Sequence, residues 1–253
     1  MVRFPPTVWF RNISFWPAAN DGWGSHEIVN SRTFERFSGF FYGMFRQPGQ
    51  LILSNYFRML DYLHVHQCLI SLGMKLTPPQ LQSSGDDSMV SMLFRNFSTV
   101  DGIAAQALLI YARHRQGHVT RLLAGQGDHS SAASSCPGTR QEIPNITLAL
   151  ERLKGFRFIG LADNWERSIC LLHVMHGSQP CAAAELLNNR PTVSSGYGGH
   201  GLSVLDNFQD IADSKLFAAA QRRFEEDLAK WKITETMCKG LRCTFDSWSD
   251  SSM

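Results

Sequence analysis

The sequence predicts an α/β fold on three observations. Residues 40–60 (FFYGMFRQPGQLILSNYFRML) and residues 156–173 (FRFIGLADNWERSICLLH) each place a short apolar run ahead of a helical pattern. Residues 214–231 (SKLFAAAQRRFEEDLAKW) carry apolar side chains along one stripe and charges opposite. Strands interleaved with amphipathic helices bury their apolar faces by layering helices on a sheet. With 253 residues, 43% hydrophobic and 18% charged, the chain can bury a large core. It reads as one domain over residues 1–253, with an irregular N-terminal segment over about 1–37 and a frayed tail over about 244–253.

Taken in order, residues 1–37 are aromatic and interrupted by Pro5-Pro6 and by NDGWGS at 20–25, which mark turns. Phe40, Phe41, Tyr42, Met44 and Phe45 suit a strand buried on both faces. Arg46 ends the run, and Pro48 opens a helix at the position where its missing N–H would have had no partner. Leu53, Tyr56 or Phe57, Leu60 and Leu63 then recur at helical steps. A loop over 76–88 precedes a continuous helix from about Val100 to Ala124, with Ile103, Ala104, Ala107, Leu108 and Tyr111 on one side. Residues 125–145 read as a surface loop and the following ITLALERLKG as a short helix. Phe156, Phe158, Ile159 and Leu161 form the second strand; Asp163 caps the next helix, which Trp165, Ile169, Leu172 and His173 continue. The loop 188–201 contains Gly196, Gly198 and Gly201 at dinucleotide-motif spacing, but no strand precedes it. Phe217, Ala220, Phe224, Leu228 and Trp231 make the stripe of the last helix.

Composition narrows the function. A net charge of +2 gives no basic field for nucleic acid, and no apolar run is long enough to span a membrane. Eighteen arginines against six lysines favour bidentate binding of phosphate, sulfate or carboxylate. The six cysteines include no C-x-x-C pair, so a zinc ribbon is disfavoured. Cys170 with Cys181, or Cys238 with Cys243, could close small loops in an oxidising lumen; reduced buried thiols are the alternative. Asn12, Asn96 and Asn145 begin N-x-[ST] triplets, which accept glycans in a secretory compartment. His114 and His118 stand four apart among arginines 113, 115 and 121, and read as a basic surface rather than zinc ligands.

A strand, a tight turn and a helix start that carry an arginine and a hydroxyl make a natural anion site. In RQPGQLILSNY, the residues Arg46, Pro48, Ser54 and Tyr56 resemble the 3′-phosphate motif R-x-P-x-x-R-x-x-S-x-Y of Golgi carbohydrate sulfotransferases, the heparan sulfate 2-O-sulfotransferase-like group. Leu51 stands where that motif has its second arginine. GHVTRLLAG resembles the group's N-x-x-T-R-x-L-A-G, through Thr120, Arg121, Leu123, Ala124 and Gly125, with Gly117 in place of the asparagine. FRFIGLADNWERSI is similar to F-x-F-V-G-L-T-E-x-[FW]-x-x-S-[LI], and the 213–228 segment to D-x-x-L-[YF]-x-x-A-x-x-x-F-x-x-x-L.

The resemblance implies a P-loop-NTPase-like three-layer sandwich around a mostly parallel sheet. It implies that Arg46 and Ser54 bind the 3′-phosphate of 3′-phosphoadenosine 5′-phosphosulfate, that His26 is the catalytic base, and that no metal is needed. The acceptor would be a carbohydrate hydroxyl and the location the Golgi lumen. Sulfuryl transfer then proceeds as the base takes the acceptor proton, the group moves in line, and cationic groups stabilise the leaving phosphate oxygen. The group's P-K-x-[GA]-[ST]-[ST] loop for the 5′-phosphosulfate has no counterpart, since no lysine precedes Lys75. A fragment without its first strand and that loop is the favoured explanation. A donor site rebuilt from Arg3, Arg11, Arg32 or Arg36, and a pseudoenzyme, are the others. The competing function is a non-catalytic lumenal relative that binds a glycan or a protein through its basic helix. A kinase-type transferase is disfavoured by the missing G-x-x-x-x-G-K-[ST].

Overall fold

The computed structural model of the protein describes residues 29, 31–56, 102–126, 142–177, 180–186, 205 and 208–243. His26, the loops at 76–88 and 188–201, the continuation of the first long helix past Tyr56, and the tail lie outside the described residues. Within them the fold is mixed α/β, mostly helical, around a two-stranded parallel sheet. In chain order the elements are α1 (Ser31–Phe37), β1 (Phe41–Phe45), α2 (Pro48–Tyr56), α3 (Gly102–Arg115), α4 (His118–Ala124), α5 (Ile146–Lys154) and β2 (Phe156–Leu161). A 3-10 turn (Ala162–Asn164), α6 (Trp165–Met175), α7 (Ala183–Leu186), α8 (Ile211–Lys230) and α9 (Glu235–Gly240) complete it.

The strands pair as Phe41 with Phe156, then Tyr42 with Phe158 through to Phe45 with Leu161, with a slip after Phe41 that leaves Arg157 exposed. Phe41, Met44, Phe45, Phe156, Phe158, Ile159 and Leu161 are all buried, which is the density expected of a parallel pair covered by helices. A glycine on each strand makes room for side chains that lie over the sheet. A Cβ on Gly160 would meet the Met44 sulfur and come within 2.9 Å of the Ser168 Cβ, and one on Gly43 would lie 2.8 Å from the Phe156 ring. Both α6 and α8 pack on β2. On α8, Leu216, Ala220, Phe224 and Leu228 recur every four residues and enter the main core with Leu123, Ala149 and Leu153. Each large side chain fully buried this way contributes about 2 kcal/mol.

Several expectations need correction. The segment read as irregular up to residue 37 ends in a helix, α1, because Phe34 and Phe37 pack on the core and Phe34 stacks on Phe41 at 5.8 Å. Phe40 is 66% exposed and lies outside β1. The helix expected without interruption from Val100 to Ala124 breaks at Gly117, whose φ of 71° lies in the left-handed region. Only glycine fits there, since an added Cβ would also run into the Pro144 ring. The closing helix starts at Ile211, three residues early, because Asp210 caps it by accepting from the Asp213 N–H at 3.0 Å. Asp163 is not a helix cap: it lies in the 3-10 turn, and its carboxylate accepts from the Gln47 N–H at 3.4 Å.

The cysteines correct both earlier readings. Cys170 bonds Cys238 and Cys181 bonds Cys243, with Cα separations of 5.4 and 5.2 Å. Neither local loop forms, because α9 packs on α6 and brings distant partners closer than near ones. The Cys181 N–H also donates to the Leu241 carbonyl at 2.8 Å. The four cysteines share an apolar cluster with Ile169 and Leu186.

Candidate functional site

At the carboxyl ends of the parallel strands, where open α/β sheets bind ligands, β1 runs out at Phe45 and β2 at Leu161. Arg46 and Gln47 form the corner before α2. The Gln47 carbonyl accepts from the Leu51 N–H at 2.9 Å, so the helix is already turning there, and Pro48 is buried as its first residue. The Arg46 Nε is buried and has no hydrogen-bond acceptor among the described residues. A buried cationic N–H without an acceptor costs on the order of 1–3 kcal/mol. Ser54 sits half-buried on α2, six residues past Pro48 and so about 9 Å along the axis. Leu51, in the place of a second arginine, packs against the core. The corner therefore joins Arg46, Gln47, Asp163 and α2; His26, the third expected site residue, lies outside the described residues.

The other motif segments meet one another in structural contacts. Asp213 lies in the first turn of α8, and its carboxylate accepts from the N–H groups of Val119 (3.1 Å) and Thr120 (2.8 Å) and from the Thr120 hydroxyl (2.7 Å). Asp210 accepts from the Gly117 N–H at 2.8 Å. Two helix starts, those of α4 and α8, thus share a pair of buried carboxylates that serve their unpaired N–H groups. Arg121, expected on a basic surface, is 5% exposed and donates to the Gln116 carbonyl at 2.7 Å; His118 is 8% exposed. The basic-helix reading is corrected on this point: Arg113 is exposed, but Arg121 and His118 are built into the interior. Ser168 likewise ties strand to helix, with its hydroxyl accepting from the Leu161 N–H at 2.8 Å and lying 2.8 Å from the Asn164 carbonyl. Asp210 and Asp213 are legible in hindsight, because two acidic residues three apart before an apolar stripe match a capped helix start.

Burial, and then the charge of Asp210, raise the Asp213 carboxyl to about 7 against the pull of its three donors. Asp210 is raised as well, by burial, with the N–H groups of Asp213 and Gly117 and the Arg121 charge opposing. The folded pair therefore holds a proton that the unfolded chain releases near the ordinary carboxyl value of 3.8. This contribution to stability is fully present below about 4 and is lost as pH rises through about 7. Urea unfolding is expected to show about 2 kcal/mol more stability at pH 5 than at pH 8 from this pair. Asp213→Asn should be destabilised and lose most of that slope. A wild-type midpoint that falls on acidification over this range contradicts the assignment.

His173, Cys181 and Glu185 bring one ligand-type atom each within 4.8 Å of one another. The Cys181 sulfur is bonded to Cys243, so it offers no thiolate, and the other two are already paired, His173 Nε2 to Glu185 Oε2 at 2.7 Å. Glu185 also accepts from the Ala182 N–H at 3.1 Å, and its carbonyl from the Trp165 indole at 2.7 Å. This cluster holds α7 against α6 beside the disulfides. Among the described residues, no helix is long and apolar enough to cross a membrane. No family model, characterised protein or solved structure matches the chain.

Proposed function

We propose that the chain is a carbohydrate sulfotransferase, in which Arg46 and Ser54 bind the 3′-phosphate of 3′-phosphoadenosine 5′-phosphosulfate and His26 takes the proton from a sugar hydroxyl. The observation that carries this reading is the Arg46 Nε, buried at the strand-to-helix corner with no acceptor among the described residues. A phosphate oxygen supplies the missing acceptor, and the half-buried Ser54 hydroxyl follows on α2, the helix that starts at this corner. The start of α2 adds its own N–H groups and positive dipole end to an anion bound there. Two disulfides agree with an oxidising compartment such as the Golgi lumen. On this reading the full fold is the three-layer, P-loop-like sandwich, of which β1 and β2 are neighbouring strands.

Chemistry falls to few groups. His26 removes the acceptor proton as the oxygen attacks sulfur, the S–O bond to the nucleotide phosphate breaks, and a cationic group neutralises the oxygen released. Transfer of labelled sulfate from the donor to a panel of glycans tests this. His26→Ala is expected to lower turnover about 10²- to 10⁴-fold with nucleotide binding retained. Turnover unchanged in that variant removes the proposed base.

A second reading, a non-catalytic relative that keeps the fold and binds a glycan or protein, has one observation in its favour. Thr120, Arg121, Ser168 and Asp213, which carry much of the resemblance, are all occupied in interior hydrogen bonds. Nucleotide binding separates the two readings.

A further inference from the structure

We propose that Asn145 is an N-glycan acceptor whose glycosylation leaves the cap of α5 intact. Asn145, Ile146 and Thr147 form the sequon, and both Asn145 and Thr147 are exposed on the first turn of a helix whose opposite face, with Ala149, Arg152 and Leu153, is buried. The Asn145 Oδ1 accepts from the Leu148 N–H at 3.0 Å, and its backbone N–H donates to Gln126 Oε1 at 2.7 Å. Gln126 Nε2 in turn donates to the Ile143 carbonyl at 2.8 Å, so the segment is stapled to the end of α4.

This arrangement divides the two ends of the amide between two tasks. Oδ1 points into the helix start, which leaves Nδ2 on the outer side of the cap. Glycosylation forms a bond from Nδ2 to the anomeric carbon of a polyprenyl-pyrophosphate-linked oligosaccharide; the lipid pyrophosphate leaves, and one amide hydrogen departs as a proton. The product is still an amide whose oxygen can accept, so the cap survives the modification. Ile143, two residues upstream, is 88% exposed, an apolar side chain that the face of the first sugar would cover. The disulfides agree with the kind of oxidising compartment where this chemistry occurs.

The test uses protein purified from eukaryotic cells that express the full-length gene. Trypsin cuts after Arg140 and Arg152 and isolates Asn145 on a peptide that contains no other sequon. Enzymatic deglycosylation in heavy-oxygen water is expected to convert Asn145 to labelled aspartate on that peptide. Asn145→Asp and Thr147→Ala should each raise electrophoretic mobility by the same single step. Asn145→Asp, which keeps a capping carboxylate, should leave the urea midpoint within error of wild type. Recovery of the peptide unmodified before deglycosylation, or mobility unchanged in both variants, overturns the proposal.

Discussion

Replacing all four described cysteines with serine is expected to unfold the chain at ambient temperature. Cys170–Cys238 and Cys181–Cys243 span 68 and 62 residues, and either bridge alone closes a loop worth about 4 kcal/mol in chain-entropy terms. Their contributions do not simply add, because the bridges interleave. Cys181 follows Cys170 by eleven residues and Cys243 follows Cys238 by five. Once one bridge is closed, the other closes a ring of only about 16 residues, worth about 3 kcal/mol. Loss of one pair should therefore cost about 3 kcal/mol and loss of both about 7, which falls within the whole stability of an ordinary domain. Circular dichroism in urea on the two double serine variants and the quadruple variant measures this. A quadruple variant with a wild-type midpoint would show that α9 is held on α6 by packing alone.

Arg152→Met should be strongly destabilising, at about 2–4 kcal/mol, because it leaves buried carbonyls without a donor. Arg152 is 3% exposed, and its guanidinium donates to the carbonyls of Val29 and Leu123 and, at 2.8 Å, to the Ser31 hydroxyl. It also lies over the Phe34 ring at 5.7 Å. One side chain thus joins the segment before α1, the end of α4 and α5. Burial lowers its pKa, and the Glu35 charge opposes the shift. Methionine fills the volume but leaves those carbonyls without their donor, and lysine cannot span them because its single ammonium lacks the planar fork. Thermal unfolding is expected to rank wild type above Arg152→Lys above Arg152→Met. Equal midpoints for Arg152→Met and wild type would mean that water replaces the guanidinium at no cost.

The parts of the fold legible in the sequence are those with a strong period. β1, β2, α5 and the stripe of α8 each bury an apolar pattern whose spacing matches the element, and Pro48 marks the start of α2 where a proline can stand. The break at Gly117 was hidden because the apolar pattern continues across it; what ends α3 is a left-handed backbone fixed by Pro144 and Asp210, both remote in sequence. Cysteine pairing depends on how α9 docks on α6, which no local spacing encodes. Arg121 reads as surface charge because its acceptor, the Gln116 carbonyl, sits in the turn before α4 that an uninterrupted helix would not contain. Of the candidate site, Arg46 and Ser54 could be named from one short segment. Asp163 at the same corner reads as a helix cap, although it accepts from the Gln47 N–H in the turn between β1 and α2.

Calorimetric titration with 3′-phosphoadenosine 5′-phosphate tests the Arg46 corner most directly. Wild type should bind with a micromolar Kd, and Arg46→Ala should weaken binding about 100-fold, the loss of one charge-assisted phosphate contact of about 2.7 kcal/mol. No heat from wild type at millimolar nucleotide, or the same affinity in both proteins, would contradict a phosphate site at the strand-to-helix turn.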